Sequence, residues 1–247
     1  MTRVKICGLR DAAKAVEAAK AGADFIGLVF AESKRKVTPQ ECHDVVAALH
    51  ELRRVKEPAL FEGPQPGDVS ARSWFGVWSD AIDDALFRCR PLVVGVFADM
   101  PFSDVNEIAE AAKLDLVQLS GGENDSFCRK IERPVLRTIH VHEGMTADDI
   151  FEAAVPGASA AIHLDTASPI ARGGTGQPFD EDAATEVAAR LPIMLAGGLT
   201  PDSVAAAIEH VQPWAVDVSS GVETDGRKDI EKIRGFIRAA KGAHNER

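Results

Sequence analysis

The 247-residue chain has four cysteines, Cys7, Cys42, Cys89 and Cys128, and no two of them form a C-x-x-C pair. A zinc site or a disulfide framework is therefore not expected. Of the seven histidines, His43, His50, His140, His142, His163 and His210 show no metal-ligating spacing either, so no metal is expected. No apolar run is long enough to span a bilayer, and the first strand has no apolar signal region before it. The chain reads as cytoplasmic. Positive charge is in deficit: 28 Lys and Arg against 38 Asp and Glu give a formal net charge of −10. That disfavours nucleic acid and an anionic membrane as partners. It leaves room for a small anionic substrate, which needs only a local donor-rich pocket.

The 45% hydrophobic and 27% charged content is ordinary for a globular protein whose core needs no staple. Eight short apolar runs recur: Val4–Ile6, Phe25–Phe30, Leu92–Phe97, Leu116–Leu119, Val135–Ile139, Ala160–Leu164, Ile193–Ala196 and Ala215–Ser219. Helical patterns alternate with them, at Asp11–Ala21, Pro39–Leu52, Ser103–Ala112, Asp125–Ile131, Ala147–Ala154, Glu181–Arg190, Asp202–His210 and Asp229–Lys241. Thr38 before Pro39 and Thr200 before Pro201 are start signals of the expected kind. Strand alternating with helix predicts a parallel sheet, and eight such units fit a single closed (β/α)₈ (TIM) barrel domain over residues 1–247. An open doubly wound sheet is the competing architecture. No G-x-G-x-x-G follows the first strand, which removes its usual dinucleotide-binding version.

A minimal barrel does not account for an insert at about residues 53–90, between helix 2 and strand 3, where two to six residues are usual. Its first part, Glu57–Gly67, is rich in proline and glycine and reads as loop. In its second part Trp74, Trp78, Ile82, Leu86 and Cys89 share one helical face, which predicts an amphipathic helix over Ser73–Cys89. A helix-to-strand connection lies on the stability face of a barrel, so the insert is expected to pack rather than to catalyse.

Strand side chains alternate, so Val4 and Ile6 point to the helices while Lys5 and Cys7 point inward. An isolated cysteine is most often a buried structural thiol. The sixth strand repeats the arrangement: His163 and Asp165 point inward, and Asp165 stands, like Cys7, at the carboxyl end of its strand. Alone, such an Asp is more often a turn former, and the following Gly173-Gly174-Thr175-Gly176 loop is weak evidence. Together, a thiol and a carboxyl at strand ends can serve as base and acid across a substrate. Gly197 and Gly198 end strand seven, and Ser219, Ser220 and Gly221 end strand eight. Small-residue turns after these two strands suit a phosphate, because backbone N–H groups can approach the anion; turns without a ligand are the plainer reading. Gln118 on strand four can bond a hydroxyl or remain a core polar residue. Arg35, in the basic run after strand two, can pair with a carboxylate or stay solvated.

These residues resemble the phosphoribosylanthranilate isomerase family. The resemblance is carried by KICGLR at the start, Gly22–Phe30 with Ser33-Lys34-Arg35, VGVF at Val94–Phe97, VQL, LDT, GGTG, LAGGL and DVSSGVE, over nearly the whole chain outside the insert. It implies a (β/α)₈ barrel of tryptophan biosynthesis and an Amadori rearrangement of N-(5-phosphoribosyl)anthranilate without metal or cofactor. Cys7 then matches the family's general base, Asp165 its general acid and Arg35 the residue at the anthranilate end. Gly197, Gly198, Ser220 and Gly221 match the phosphate loops. Two departures stand out: Ser120 replaces a usual histidine, and Glu181, behind Phe179-Asp180, replaces a frequent tryptophan.

The chemistry is consistent with this. Ring opening needs a proton on the ring oxygen, which Asp165 can supply, and a Cys7 thiolate can then remove the proton on C2. Lys5, one layer below, is expected to favour that thiolate, and closure would set it against inward-facing Asp217. A phosphorylated small molecule is thus the expected partner, met by a monomer or a homodimer. The alternatives are a related phosphosugar isomerase of histidine biosynthesis, an enzyme acting on both substrates, or a catalytically silent ligand-binding barrel. The first would place a carboxylate where Cys7 stands.

Overall fold

The computed structural model describes every residue except 54, 56–57, 65–66, 68, 143, 167–180 and 244–247. Eight parallel strands pair in chain order: β1 (Arg3–Cys7), β2 (Phe25–Val29), β3 (Leu92–Phe97), β4 (Leu116–Leu119), β5 (Val135–Val141), β6 (Ala161–Thr166), β7 (Ile193–Ala196) and β8 (Ala215–Val218). Strand β8 pairs back onto β1 with Lys5 opposite Asp217, so the sheet is a closed barrel and not an open one. Around it stand α1 (Ala12–Ala21), α2 (Pro39–Leu52), α4 (Phe102–Ala111), α5 (Asp125–Cys128), α6 (Ala147–Ala153), α7 (Glu181–Ala188), α8 (Val204–Val211) and α9 (Ile230–Gly242). Among the described residues no helix is long and apolar enough to cross a membrane.

Several boundaries move for local reasons. Thr38 caps α2 as expected, in a capping box with Glu41. Thr200 does not cap α8: its N–H and hydroxyl bond to Ser203, and the helix begins only at Val204. Helix α5 ends at Cys128 instead of Ile131. Strand β5 runs on to Val141, two residues beyond its apolar run, because β6 extends alongside it to Thr166.

The barrel wall separates two environments. Val4, Ile6, Ile26, Leu28, Val93 and Val216 point outward into the layer shared with the helices. Inside, the lowest layer is apolar and includes Phe25, Leu92, Leu116, Leu136, Ala161, Met194 and Ala215. The insert closes that end. Its helix, α3 (Ala71–Cys89), turns Ile82, Ala85, Leu86 and Cys89 onto this layer. Trp74 is buried and donates from Nε1 to the Ser159 carbonyl at 2.7 Å, just ahead of β6. The insert thus covers the amino-terminal mouth, away from Cys7 and Asp165.

A buried ion pair fastens the start of the insert. Arg53 and Asp115 are fully buried against each other. Asp115 also accepts from the N–H of Ala59 at 2.7 Å and of Val93 at 2.6 Å, while Arg53 Nε reaches the Pro91 carbonyl at 2.9 Å. Removing one partner of such a pair strands a charge in the core. Asp115→Ala is therefore expected to cost about 3–5 kcal/mol, read from urea unfolding. An unchanged midpoint would show that the insert is held by apolar packing alone.

Candidate active site

At the carboxyl end of the barrel, a cavity of about 250 Å³ is lined by Cys7, Gln118, Asp165, Gly197, Gly198, Asp217, Ser219, Ser220 and Gly221, with His163 among them. The structure therefore brings together all the sequence-derived candidates except Arg35. The Gly173–Gly176 loop and the Phe179-Asp180 pair lie outside the described residues.

The cavity floor is polar because alternate residues of short strands end there. Lys5 Nζ donates to Asp217 Oδ2 at 2.9 Å, and His163 Nε2 lies 3.0 Å from the same oxygen. His163 Nδ1 is 3.2 Å from Thr138 Oγ1, which is 2.9 Å from Ser120 Oγ; Gln118 Nε2 donates to Ser120 Oγ at 3.0 Å. One chain of hydrogen bonds thus crosses four strands and β1. Burial works against charge on Asp217, but Lys5 and then His163 hold its carboxyl down at about 2. At the two ends of the chain, Asp217 Oδ1 and Gln118 Oε1 are buried acceptors with no partner among the described residues.

Cys7 sits above Lys5, 7% exposed and packed on Gly27, where an added Cβ would come within 2.9 Å of Sγ. Lys5 and Lys228 do pull the thiol downward, as expected for the former. Burial outweighs them, and Asp217 opposes them, so the thiol lies above its ordinary value. Lys5 thus favours the thiolate, as expected, but the dry wall of the barrel costs the anion more than the cations return.

The turns after β7 and β8 press together. Gly197 and Gly198 adopt positive φ (99° and 62°), and a Cβ on Gly221 would fall 1.9 Å from the Leu199 carbonyl oxygen. Beyond them, Asp225-Gly226 turns a short hairpin, β9 (Glu223–Thr224) and β10 (Arg227–Lys228), that sets Glu223 opposite Lys228. Lys228 Nζ reaches the Ser219 carbonyl at 2.8 Å and Glu223 at 3.0 Å.

Arg35 is placed outside this cavity, in an adjoining one of about 540 Å³ with Gly8, Lys34, Glu223 and Lys228. Its Nε and Nη2 grip Glu223 at 2.6 and 3.0 Å. Burial opposes charge on Glu223, yet Arg35 and Lys228 bring its carboxyl to about 2. The side of the fork facing Glu223 is thereby taken, and a carboxylate ligand would meet Nη1.

Sequence reasoning left out His163, Thr138, His140, Glu223 and Lys228. Alternation already placed His163 inside, and continuing it along β5 finds Thr138 and His140. The Asp-Gly pair was the available signal for the hairpin that carries Glu223 and Lys228.

Comparison with known proteins points to one family and to the same fold. A family model described as N-(5'-phosphoribosyl)anthranilate (PRA) isomerase matches residues 52–239. The N-(5'-phosphoribosyl)anthranilate isomerase of Dehalococcoides mccartyi is 37% identical over 252 residues, covering 100% of this chain and 99% of that protein. The phosphoribosyl anthranilate isomerase of Thermotoga maritima superposes with a TM-score of 0.71 at 32% identity, over 98% of this chain and 100% of the other. A structure of that type in complex with reduced 1-(o-carboxyphenylamino)-1-deoxyribulose 5-phosphate gives 0.69 at 30% identity, with the same coverage.

The elevated thiol is directly measurable. Alkylation of Cys7 by iodoacetamide, followed by peptide mass spectrometry, should keep accelerating as pH passes the ordinary thiol range. Lys228→Met removes a cation that lowers the thiol, so it should move the profile further up. A profile centred below the ordinary range would mean that the cations outweigh burial.

Proposed function

The chain belongs to the N-(5'-phosphoribosyl)anthranilate isomerase family, and from that premise we propose that Cys7 and Asp165 divide the proton transfers of its reaction as base and acid. The reaction is the Amadori rearrangement of N-(5-phosphoribosyl)anthranilate to 1-(2-carboxyphenylamino)-1-deoxyribulose 5-phosphate, an isomerisation of tryptophan biosynthesis. The observation that carries the assignment is the single cavity in which a thiol, a carboxyl, two unpartnered acceptors and two small-residue turns face one another.

In this reading Asp165 gives its proton to the ring oxygen as the bond from that oxygen to C1 breaks, and the anilino nitrogen forms a C=N bond to C1. The iminium acidifies the proton on C2. The Cys7 thiolate removes it, and the resulting enolamine tautomerises to the aminoketose. The elevated thiol fits a base that ionises only when the cationic iminium stands over it. Asp217 Oδ1 and Gln118 Oε1, both acceptors, take the sugar hydroxyls. The phosphate lies on the backbone N–H groups of Gly197–Gly198 and Ser219–Gly221, at the open end of the barrel next to Lys228. Arg35 faces the anthranilate carboxylate, with Glu223 orienting its fork.

The four cysteines of the chain are free, consistent with work in the reducing cytoplasm.

A positioned acid or base contributes about a hundredfold to ten-thousandfold. Cys7→Ala and Asp165→Asn should each lower kcat by at least about a hundredfold on that scale, with product-analogue affinity largely kept. The assay is loss of anthranilate fluorescence. Near-normal turnover by Cys7→Ala would return the thiol to a packing role. Gly221→Ala, which pushes its Cβ into the Leu199 carbonyl, should instead raise KM and weaken inhibition by inorganic phosphate, with a smaller effect on kcat. An unchanged KM would place the phosphate elsewhere.

A further inference from the structure

The carboxyl assigned as acid has a neighbour that neither the sequence pattern nor the family assignment singles out. Strand β5 outlasts its apolar run, and its register sets His140 directly opposite Asp165. His140 Nδ1 lies 3.6 Å from Asp165 Oδ2. The other ring nitrogen, Nε2, is 3.0 Å from the backbone carbonyl oxygen of Ser120. That oxygen can only accept, so Nε2 must carry a hydrogen, and the tautomer is fixed. In the neutral ring Nδ1 is then a bare lone pair aimed at the carboxyl. Ser120 makes room for this arrangement by turning its hydroxyl the other way, to Thr138 Oγ1.

Exposure separates this pair from the buried network below it. The His140 side chain is 55% exposed and that of Asp165 43%, whereas His163 and Asp217 are 4% and 7% exposed. Both side chains of the upper pair thus reach solvent, and His140 is the imidazole set beside the Asp165 carboxyl. The other charged groups nearby are committed: Asp217 binds Lys5 and His163, and Glu123 and Asp99, on the loops beside Ser120, accept from backbone N–H groups of Asp99, Gly121 and Gly122.

We propose that His140 is a proton-relay residue that acts through Asp165, taking a proton from solvent at Nδ1 and returning it to the carboxylate after each ring opening. This rests on Asp165 being the acid. Ring opening breaks the bond from C1 to the ring oxygen; the electron pair stays on that oxygen, which takes the Asp165 proton, and a carboxylate remains. That carboxylate must be protonated before the next substrate is opened. With Nε2 held on the Ser120 carbonyl, protonated His140 presents a single deliverable proton, on Nδ1, and closing 3.6 Å to a hydrogen bond needs only a small side-chain rotation. The count balances over a turnover: the proton removed from C2 leaves to solvent as the Cys7 thiol ionises again, and one from solvent reaches Asp165 through the imidazole.

The test compares His140→Ala, His140→Gln and Asp165→Asn with the wild type, each with and without added imidazole. His140→Ala and His140→Gln should lose at least about tenfold in kcat, less than the roughly hundredfold or more of a group touching the reacting atoms. Product-analogue affinity should be unchanged in both, and imidazole should restore kcat of His140→Ala in a concentration-dependent way. Asp165→Asn should be inactive and not rescued. Wild-type kcat in His140→Ala, or a loss that imidazole leaves untouched, overturns the relay while an inactive Asp165→Asn leaves the acid assignment standing. An active Asp165→Asn removes both.

Discussion

Closure of the barrel rests on the seam between β8 and β1, where Lys5 meets Asp217 deep in the interior. Neither side chain would be stable there alone. Burial opposes charge on both, but Asp217 raises the amine and Lys5 lowers the carboxyl, so the pair stays ionised in a dry wall. Such a pair is weak evidence for added stability, since desolvation offsets most of the attraction. What it supplies is register: one residue of slip would turn Lys5 outward among the helices and Val4 or Ile6 into the polar floor. The position of Cys7, two residues further along β1, follows from that register.

The layers stacked on this seam explain how one fold holds stability and reactivity apart. Below it the interior is apolar and is sealed by α3, so the insert's contribution is to packing and to the Arg53–Asp115 anchor. Above it the strands end in glycines, serines and titratable groups, where water can enter and a substrate can be held. The hydrogen-bond chain from Gln118 to Lys5 is the border between the two. It leaves two buried acceptors open, Gln118 Oε1 and Asp217 Oδ1, which favours a ligand rich in hydroxyl groups. The Arg35–Glu223–Lys228 cluster does the opposite at the rim, holding two cations with one carboxylate and leaving a surplus of positive charge beside the small-residue turns.

Much of this was legible before any coordinates. Alternation along strands of five and six residues is a local steric rule, so the inward direction of Lys5, Cys7, His163 and Asp165 could be read directly, as could the outward direction of Val4 and Ile6. The amphipathic face of α3 was equally readable, and so was the place of the insert between α2 and β3. The less legible parts depended on competition between distant groups. The thiol of Cys7 was expected to be lowered by Lys5, but how much water the barrel excludes around it is a property of eight strands together. The extra length of β5, and with it the placing of His140 against Asp165, depends on how far β6 runs beside it.

The sequence by itself determined the eight barrel strands and most helices, the alternation of strand and helix that a closed barrel shares with an open sheet, and the side of the wall on which each candidate group stands. These follow from the steric period of the backbone and from apolar area seeking burial, both of which act within a few residues. Only the tertiary structure decided which of the groups share a cavity, which charges neutralise one another and which remain free for a ligand. Arg35 is the clearest case: its fork was available in sequence, and Glu223, 188 residues away, occupies one side of it. Electrostatic and hydrogen-bond partners are chosen by distance in space, and the sequence separation of the two partners carries no trace of that choice.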